Sequence, residues 1–205
     1  MSPKGKFPIV GGRIERRFVD FVRGSRPRYT AVQIRRMVAT LARRVDRAYA
    51  GSEVVLVGVL KGSVFFLADL AREIRVPLAI DFVRLSSYGR GTSPRGRARL
   101  TKDVETDVAG KHVLVVEEVV DTGRSVRFLR RHFERKRARS VRFCVLVDKL
   151  GRREAGVEVE FSGFRPTSGF LVGYGMDRAE AWRELPEIHE LPVSGKANLK
   201  AGGSA

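Results

Sequence analysis

Cysteine is almost missing from this chain: Cys144 is the only one in 205 residues. A single thiol excludes a disulfide framework and any metal site built from several cysteines. Histidine is nearly as scarce, with scattered copies at His112, His132 and His189, so a His-rich zinc site is not expected. No apolar run approaches the roughly 20 residues that a membrane-spanning helix needs. The opening stretch MSPKGKFPIVGGRIERRF is basic but lacks an apolar core and a cleavage pattern, which argues against a secretory signal. Cytoplasm is the default expectation, with no membrane partner. Acidic residues are in deficit as well: 23 Asp and Glu face 40 Lys and Arg, for a net charge of +17. Such a field attracts polyanions, whether nucleic acid, an acidic membrane or a phosphorylated small molecule, and carries no information about fold. An Arg-rich solvated surface with no partner produces the same balance.

What is present is enough to fold. Hydrophobic residues make up 43% of the chain and charged residues 31%, the composition of a globular protein with one sizeable core. Thr30 and Gln33 are spaced as a capping box. Ile34, Met37, Val38, Leu41 and Val45 follow at intervals of three and four, so an amphipathic helix is predicted from Thr30 to near Gly51. The continuous apolar run Val54–Leu60 reads as a strand buried on both faces. KGSVFFLADLAREI reads as a helix and Leu78–Tyr88 as a second strand. The Gly/Ser/Pro loop Tyr88–Leu100 returns as a short hairpin arm. His112–Val120 is a third strand, Arg124–Arg137 a helix, Ser140–Leu150 a fourth strand and Phe170–Gly175 a late fifth. Strands alternating with helices of about a dozen residues imply an α/β class built on a parallel sheet. Residues 1–28 read as a basic, poorly ordered arm with one short element around Arg16–Val22. Residues 29–191 form a single domain, and 192–205 are a small, polar, disordered tail.

In an open parallel sheet, ligands bind beyond the carboxyl ends of the strands. The most informative strand end is VLVVEEVVDTGRS, Val113–Ser125. A buried run leads into two adjacent carboxylates, Glu117 and Glu118, then into Asp121-Thr122-Gly123-Arg124-Ser125 at the start of a helix. Thr122, Gly123 and Ser125 are residue types that let amides and hydroxyls converge on a phosphate. The carboxylates suit a divalent cation or sugar hydroxyls instead.

This segment resembles the 5-phosphoribosyl-1-pyrophosphate (PRPP) signature of type I phosphoribosyltransferases. The resemblance runs from about Thr30 to Leu191. GVLKGSVFFLADL, DFVRLSSYG, VLVDKLGRR, FSGF, FLVGYGMD and WRELPEI are similar, in order, to motifs of hypoxanthine-guanine phosphoribosyltransferases. It implies that family's fold: a mostly parallel twisted sheet flanked by helices, with a small hood of C-terminal and N-terminal segments, mainly residues 155–191, over a purine site. The implied activity is purine salvage, the Mg2+-dependent transfer of phosphoribosyl from PRPP to N9 of hypoxanthine or guanine, giving IMP or GMP and pyrophosphate.

The same resemblance implies the residue roles. Lys61 and Gly62 would bind pyrophosphate, with a non-proline cis peptide before the lysine. Glu117 and Glu118 would face the ribose hydroxyls and magnesium. Asp121 would be the general base near purine N7, and residues Asp121, Thr122, Gly123, Arg124 and Ser125 would cradle the 5′-phosphate. Lys149 would donate to the purine O6, Phe170 would stack on the ring, and the Leu171 backbone would read its edge. Asp177 would help hold a second magnesium and contact the base, and Arg183 would touch pyrophosphate. Ser87 and Tyr88 would mark a closing catalytic loop. A homodimer or homotetramer is implied too.

The chain departs from the family pattern at three places. Glu118 stands where an aspartate is usual. Ser93–Arg95 replaces an acidic, serine-rich stretch, and Arg178 and Trp182 replace aromatic or Tyr/Phe positions of the hood. A rival reading makes the chain a nucleic-acid-binding regulator on the same fold. Its motive is the net charge and the stretch Arg124–Arg142, with nine basic residues against the single acid Glu134.

Overall fold

The computed structural model describes residues 25–87 and 98–191. Tyr88, the loop segment Ser93–Arg95, the element expected around Arg16–Val22 and the tail from residue 192 therefore lie outside the described residues. Helix α1 spans Ala31–Ala48, with Thr30 as its N-cap. The Gln33 amide donates to Thr30 Oγ1 at 3.3 Å and the Thr30 amide to Gln33 Oε1 at 2.8 Å, which is the expected reciprocal cap. Ile34, Val38, Leu41, Ala42 and Val45 are buried along its inner stripe. Strand β1 (Val54–Leu60) follows, then α2 (Val64–Glu73), β2 (Leu78–Ser87), β3 (Ala98–Lys102), β4 (His112–Val120), α3 (Arg124–Arg135) and β5 (Ser140–Asp148). The late strands are β6 (Phe161–Phe164), β7 (Phe170–Val172) and β8 (His189–Leu191).

The main sheet has the order β3-β2-β1-β4-β5-β6. All neighbours run parallel except β3, which pairs antiparallel with β2 as the expected hairpin arm. Alternation along the strands sends side chains to two cores. Leu56, Leu114, Val116, Cys144 and Leu146 meet α1 and α2 on one face. Val55, Val57, Val113, Val115, Phe143 and Val145 meet Leu129 and Phe133 of α3 on the other. Cys144 is fully buried, and burial pushes its thiol far above its ordinary range. It is a small core residue.

Three expectations are corrected by the fold. Strand β5 ends at Asp148, two residues before Leu150, so Lys149 lies just past the strand end. FSGF, expected in the hood, is β6, the outermost parallel strand of the main sheet. Four residues are too few to show a period. Phe170–Gly175 is not a fifth strand of that sheet. Only Phe170–Val172 is extended, and it pairs with His189–Leu191 in a separate two-stranded sheet. That small sheet is tied to the segment before α1 by the antiparallel bridge between Tyr29 and Ile188. Tyr29 stacks on Phe164 with centroids 3.9 Å apart.

Candidate active site

Strands β1, β4 and β5 are adjacent and parallel, so their carboxyl ends open on one edge of the sheet. Each end delivers one of the segments singled out from the sequence. From β1 comes the turn Lys61-Gly62-Ser63, entered through a cis Leu60–Lys61 peptide bond, as the resemblance implied. From β4 come Glu117, Glu118 and the turn into α3. From β5 comes Lys149, whose amide donates to Val120 O at 2.9 Å. Lys149 and the Asp121 turn are thus bound together by backbone.

The turn itself is formed by Gly123, the N-cap of α3, at φ +84°. A Cβ there would sit 2.5 Å from Val157 Cγ1, so both conformation and space call for glycine. Arg127 N is the first amide to close a helical bond, onto Gly123 O. The amides before it have no intrahelical acceptor, which makes the helix opening a ready anion site. Asp121 accepts from Arg152 Nη1 at 3.2 Å, and its carbonyl accepts from Arg153 Nε at 3.3 Å. Arg153 also pairs with the buried Asp148. Glu154 N donates to Thr122 O at 3.0 Å, and its carboxylate takes Arg124 and Arg127. The segment after β5 therefore clasps the turn from outside. Arg152, Arg153 and Glu154 received no separate role from sequence reading, because nothing local marks their partners.

Glu117 is buried and accepts from Ser125 Oγ at 3.1 Å. Burial first, and then the neighbouring Glu118, push its carboxyl well above the ordinary range; Ser125 and Arg153 oppose this. Burial likewise raises Glu118, against the field of Arg183. Glu118 packs directly over Gly62, where a Cβ would lie 1.8 Å from Glu118 Oε1. Two shielded acids whose charged forms are disfavoured are suited to a divalent cation, which would supply the missing positive charge. Among the described residues no group of three or more His, Cys, Asp or Glu side chains is arranged to hold a metal.

The segment expected to form the hood lies against the same edge. Its turn Gly173–Met176 brings Gly175, at φ +97°, so near Gly62 that a Cβ would stand 1.8 Å from Gly62 O. Tyr174 Oη donates to Asp69 of α2 at 2.6 Å. Arg183 donates to Gly175 O at 2.7 Å and pairs with Asp177 at 2.8 Å. Lys61, by contrast, pairs with Glu180 at 2.7 Å, a partner the sequence reading did not foresee. Lys149 Nζ donates to Gly169 O at 2.8 Å, next to Phe170, whose ring is 47% exposed rather than packed in a core. Leu171 behind it is buried. Burial shifts the Lys149 ammonium below its ordinary range. Of the expected loop residues, Ser87 ends β2, its backbone opposite Ala98.

The basic stretch of α3 is less available than its composition suggests. Arg124 and Arg127 are taken by Glu154, Arg130 by Glu160 and Lys136 by Asp103. No described helix is long and apolar enough to cross a membrane.

Comparison with known proteins agrees with this fold. The model of the phosphoribosyl transferase domain matches residues 29–179. Hypoxanthine phosphoribosyltransferase of Salmonella typhimurium is 42% identical over 161 residues, covering 78% of this chain and 90% of that protein. Hypoxanthine-guanine phosphoribosyltransferase of Mycobacterium avium is 40% identical over 168 residues, covering 79% and 83%. Among solved structures, a hypoxanthine-guanine phosphoribosyltransferase from Bacillus anthracis superposes with a TM-score of 0.76 at 38% identity, covering 82% of this chain and 98% of that one.

Proposed function

The chain belongs to the phosphoribosyltransferase family, and from that premise we propose that it transfers the 5-phosphoribosyl group of PRPP to N9 of a 6-oxopurine. The products are IMP or GMP and pyrophosphate, and the role is purine salvage. The observation that carries this reading is the meeting, on one sheet edge, of the β1 turn, the Glu117-Glu118 pair, the glycine-capped opening of α3 and Lys149.

In this reading the α3 opening holds the 5′-phosphate through the amides and hydroxyls of residues 121–125. Ser125 exchanges its bond to Glu117 for one to phosphate. Glu117 and Glu118 face the ribose hydroxyls and a magnesium ion. Magnesium, when bound, supplies positive charge against the pyrophosphate. Lys61 and Arg183 add theirs from the protein side, where charge develops as the bond from ribose C1 breaks. Asp121 takes or polarises the N7 proton so that N9 can attack. Arg152 holds that carboxylate in place. Lys149 donates to O6, an interaction adenine cannot satisfy with its amino group. Phe170 stacks on the base, the Leu171 backbone reads its edge, and Asp177 contacts it from the hood. Excluding water matters because hydrolysis of PRPP competes with transfer.

The test is formation of IMP or GMP from PRPP and base in the presence of Mg2+. Activity is expected in the wild type and a fall of about a hundredfold or more in Asp121→Ala. Absence of turnover with every 6-oxopurine, together with salt-sensitive binding of RNA or DNA, would reverse the reading in favour of a regulator.

A further inference from the structure

One carboxylate in the hood bridges the two cations that the proposed chemistry needs for pyrophosphate. Glu180 Oε2 accepts from Lys61 Nζ at 2.7 Å, across 119 residues of sequence. Its other oxygen, Oε1, lies 3.6 Å from Arg183 Nη2, which Asp177 Oδ1 holds more closely at 2.8 Å. The bridge is held by backbone as well as by charge. Glu180 N donates to Asp177 Oδ2 at 2.8 Å, and Ala179 and Glu180 both adopt positive φ, +50° and +67°. Consecutive non-glycine residues persist in that region only where their surroundings demand it. The Lys61 contact first, and then the field of Arg183 and Lys61, hold the Glu180 carboxyl below its ordinary range despite some burial. Arg183 retains a buried Nε with no hydrogen-bond partner, so its guanidinium is not satisfied by the hood acids.

We propose that Glu180 is an internal stand-in for pyrophosphate: it holds Lys61 and flanks Arg183, whose closer partner is Asp177, and it is displaced when the anion arrives. The inference rests on the phosphoribosyl-transfer reading and deepens it, since it names what PRPP must displace. Binding is an exchange of anions on the same cations, with no covalent step. Unpaired, Lys61 would be a long mobile side chain beside the β1 turn. Paired, it is kept at the site, and the hood is fastened to the turn it must cover. The cost is weakened anion affinity. An exposed ion pair contributes up to about 1 kcal/mol, a factor of roughly five in an equilibrium constant. Glu180 is therefore a positioning residue that trades affinity for release.

The experiment is titration of the full-length protein with inorganic pyrophosphate and Mg2+, comparing wild type with Glu180→Gln, Glu180→Ala and Glu184→Gln. Glu184 is a neighbouring exposed acid that pairs with neither cation among the described residues, so its variant reports the effect of net charge alone. Removal of the Glu180 charge is expected to tighten pyrophosphate binding about fivefold. It should lower the KM for PRPP similarly and leave the KM for hypoxanthine unchanged, with the melting temperature held within a few degrees. Unchanged or weaker pyrophosphate binding in both Glu180 variants overturns the proposal, as does an equal gain in Glu184→Gln. IMP formation by the wild type is measured in parallel. Its failure would remove the phosphoribosyl-transfer reading, while the ratio of pyrophosphate affinities would still decide the role of Glu180.

Discussion

Gly62 and Gly175 touch backbone to backbone: a Cβ on Gly175 would fall 1.8 Å from the Gly62 carbonyl oxygen. The two glycines belong to the β1 turn and to the hood. Their contact sets how closely the hood approaches the residues that the proposed function assigns to pyrophosphate.

Gly175→Ala adds that clash, against backbone that cannot swing away, to the strain of φ +97°. It is expected to destabilise the protein by about 3 kcal/mol, measurable by denaturant unfolding. Gly62→Ala meets the end of the Glu118 side chain instead. Its stability loss should stay within about 1.5 kcal/mol, while kcat/KM for PRPP falls about a hundredfold because the carboxylate is displaced. Equal losses of stability in the two variants would contradict this difference.

Lys149→Met removes the partner of Gly169 O and, on the proposed function, the donor to O6. The expected result is a fall in kcat/KM for hypoxanthine of about a hundredfold, with the ratio of hypoxanthine to adenine turnover collapsing. Steady-state kinetics with both bases would check it, and retained discrimination would place selectivity elsewhere.

The Arg152–Asp121 pair is exposed, with 68% of the arginine side chain in solvent, so it contributes little to stability. Its expected effect is on orientation of the base. Arg152→Ala should reduce kcat about tenfold with an unchanged melting temperature, and should cause no further loss when added to Asp121→Ala. An equal loss in both backgrounds would show that the arginine acts independently of Asp121.

Asp81 supplies a pH signature unrelated to catalysis. Burial raises its carboxyl, but hydrogen bonds from the Thr106, Phe82 and Glu105 amides outweigh burial and hold it at about 2. A carboxyl depressed in the folded state stabilises above its unfolded pKa near 4 and loses that contribution as pH falls through about 2. Asp81→Asn should therefore cost about 2 kcal/mol at pH 7. The gap to wild type should shrink as unfolding is measured from about pH 4 downwards. A gap that is constant with pH would show that the carboxylate charge is not responsible.

Much of this molecule is legible one segment at a time. The apolar runs Val54–Leu60 and Val113–Val116, the Thr30 cap and the stripe from Ile34 to Val45 each carry a period or a cap within a dozen residues. Such local signals settle which stretches become strands and helices, and parallel strands then bring their carboxyl ends to one edge. That is why Glu117 and Asp121 could be named from sequence, whereas Lys149 could be named only through the family resemblance. The four-residue β6 and three-residue β7 and β8 are too short to carry a period, and their pairing is settled by which edges remain open. What only the tertiary structure decided is which charges neutralise which: Lys61 with Glu180, Arg152 with Asp121, Arg153 with Asp148. Charge has no periodicity that points to a distant partner, and the choice is made when packing brings two side chains within a few ångströms.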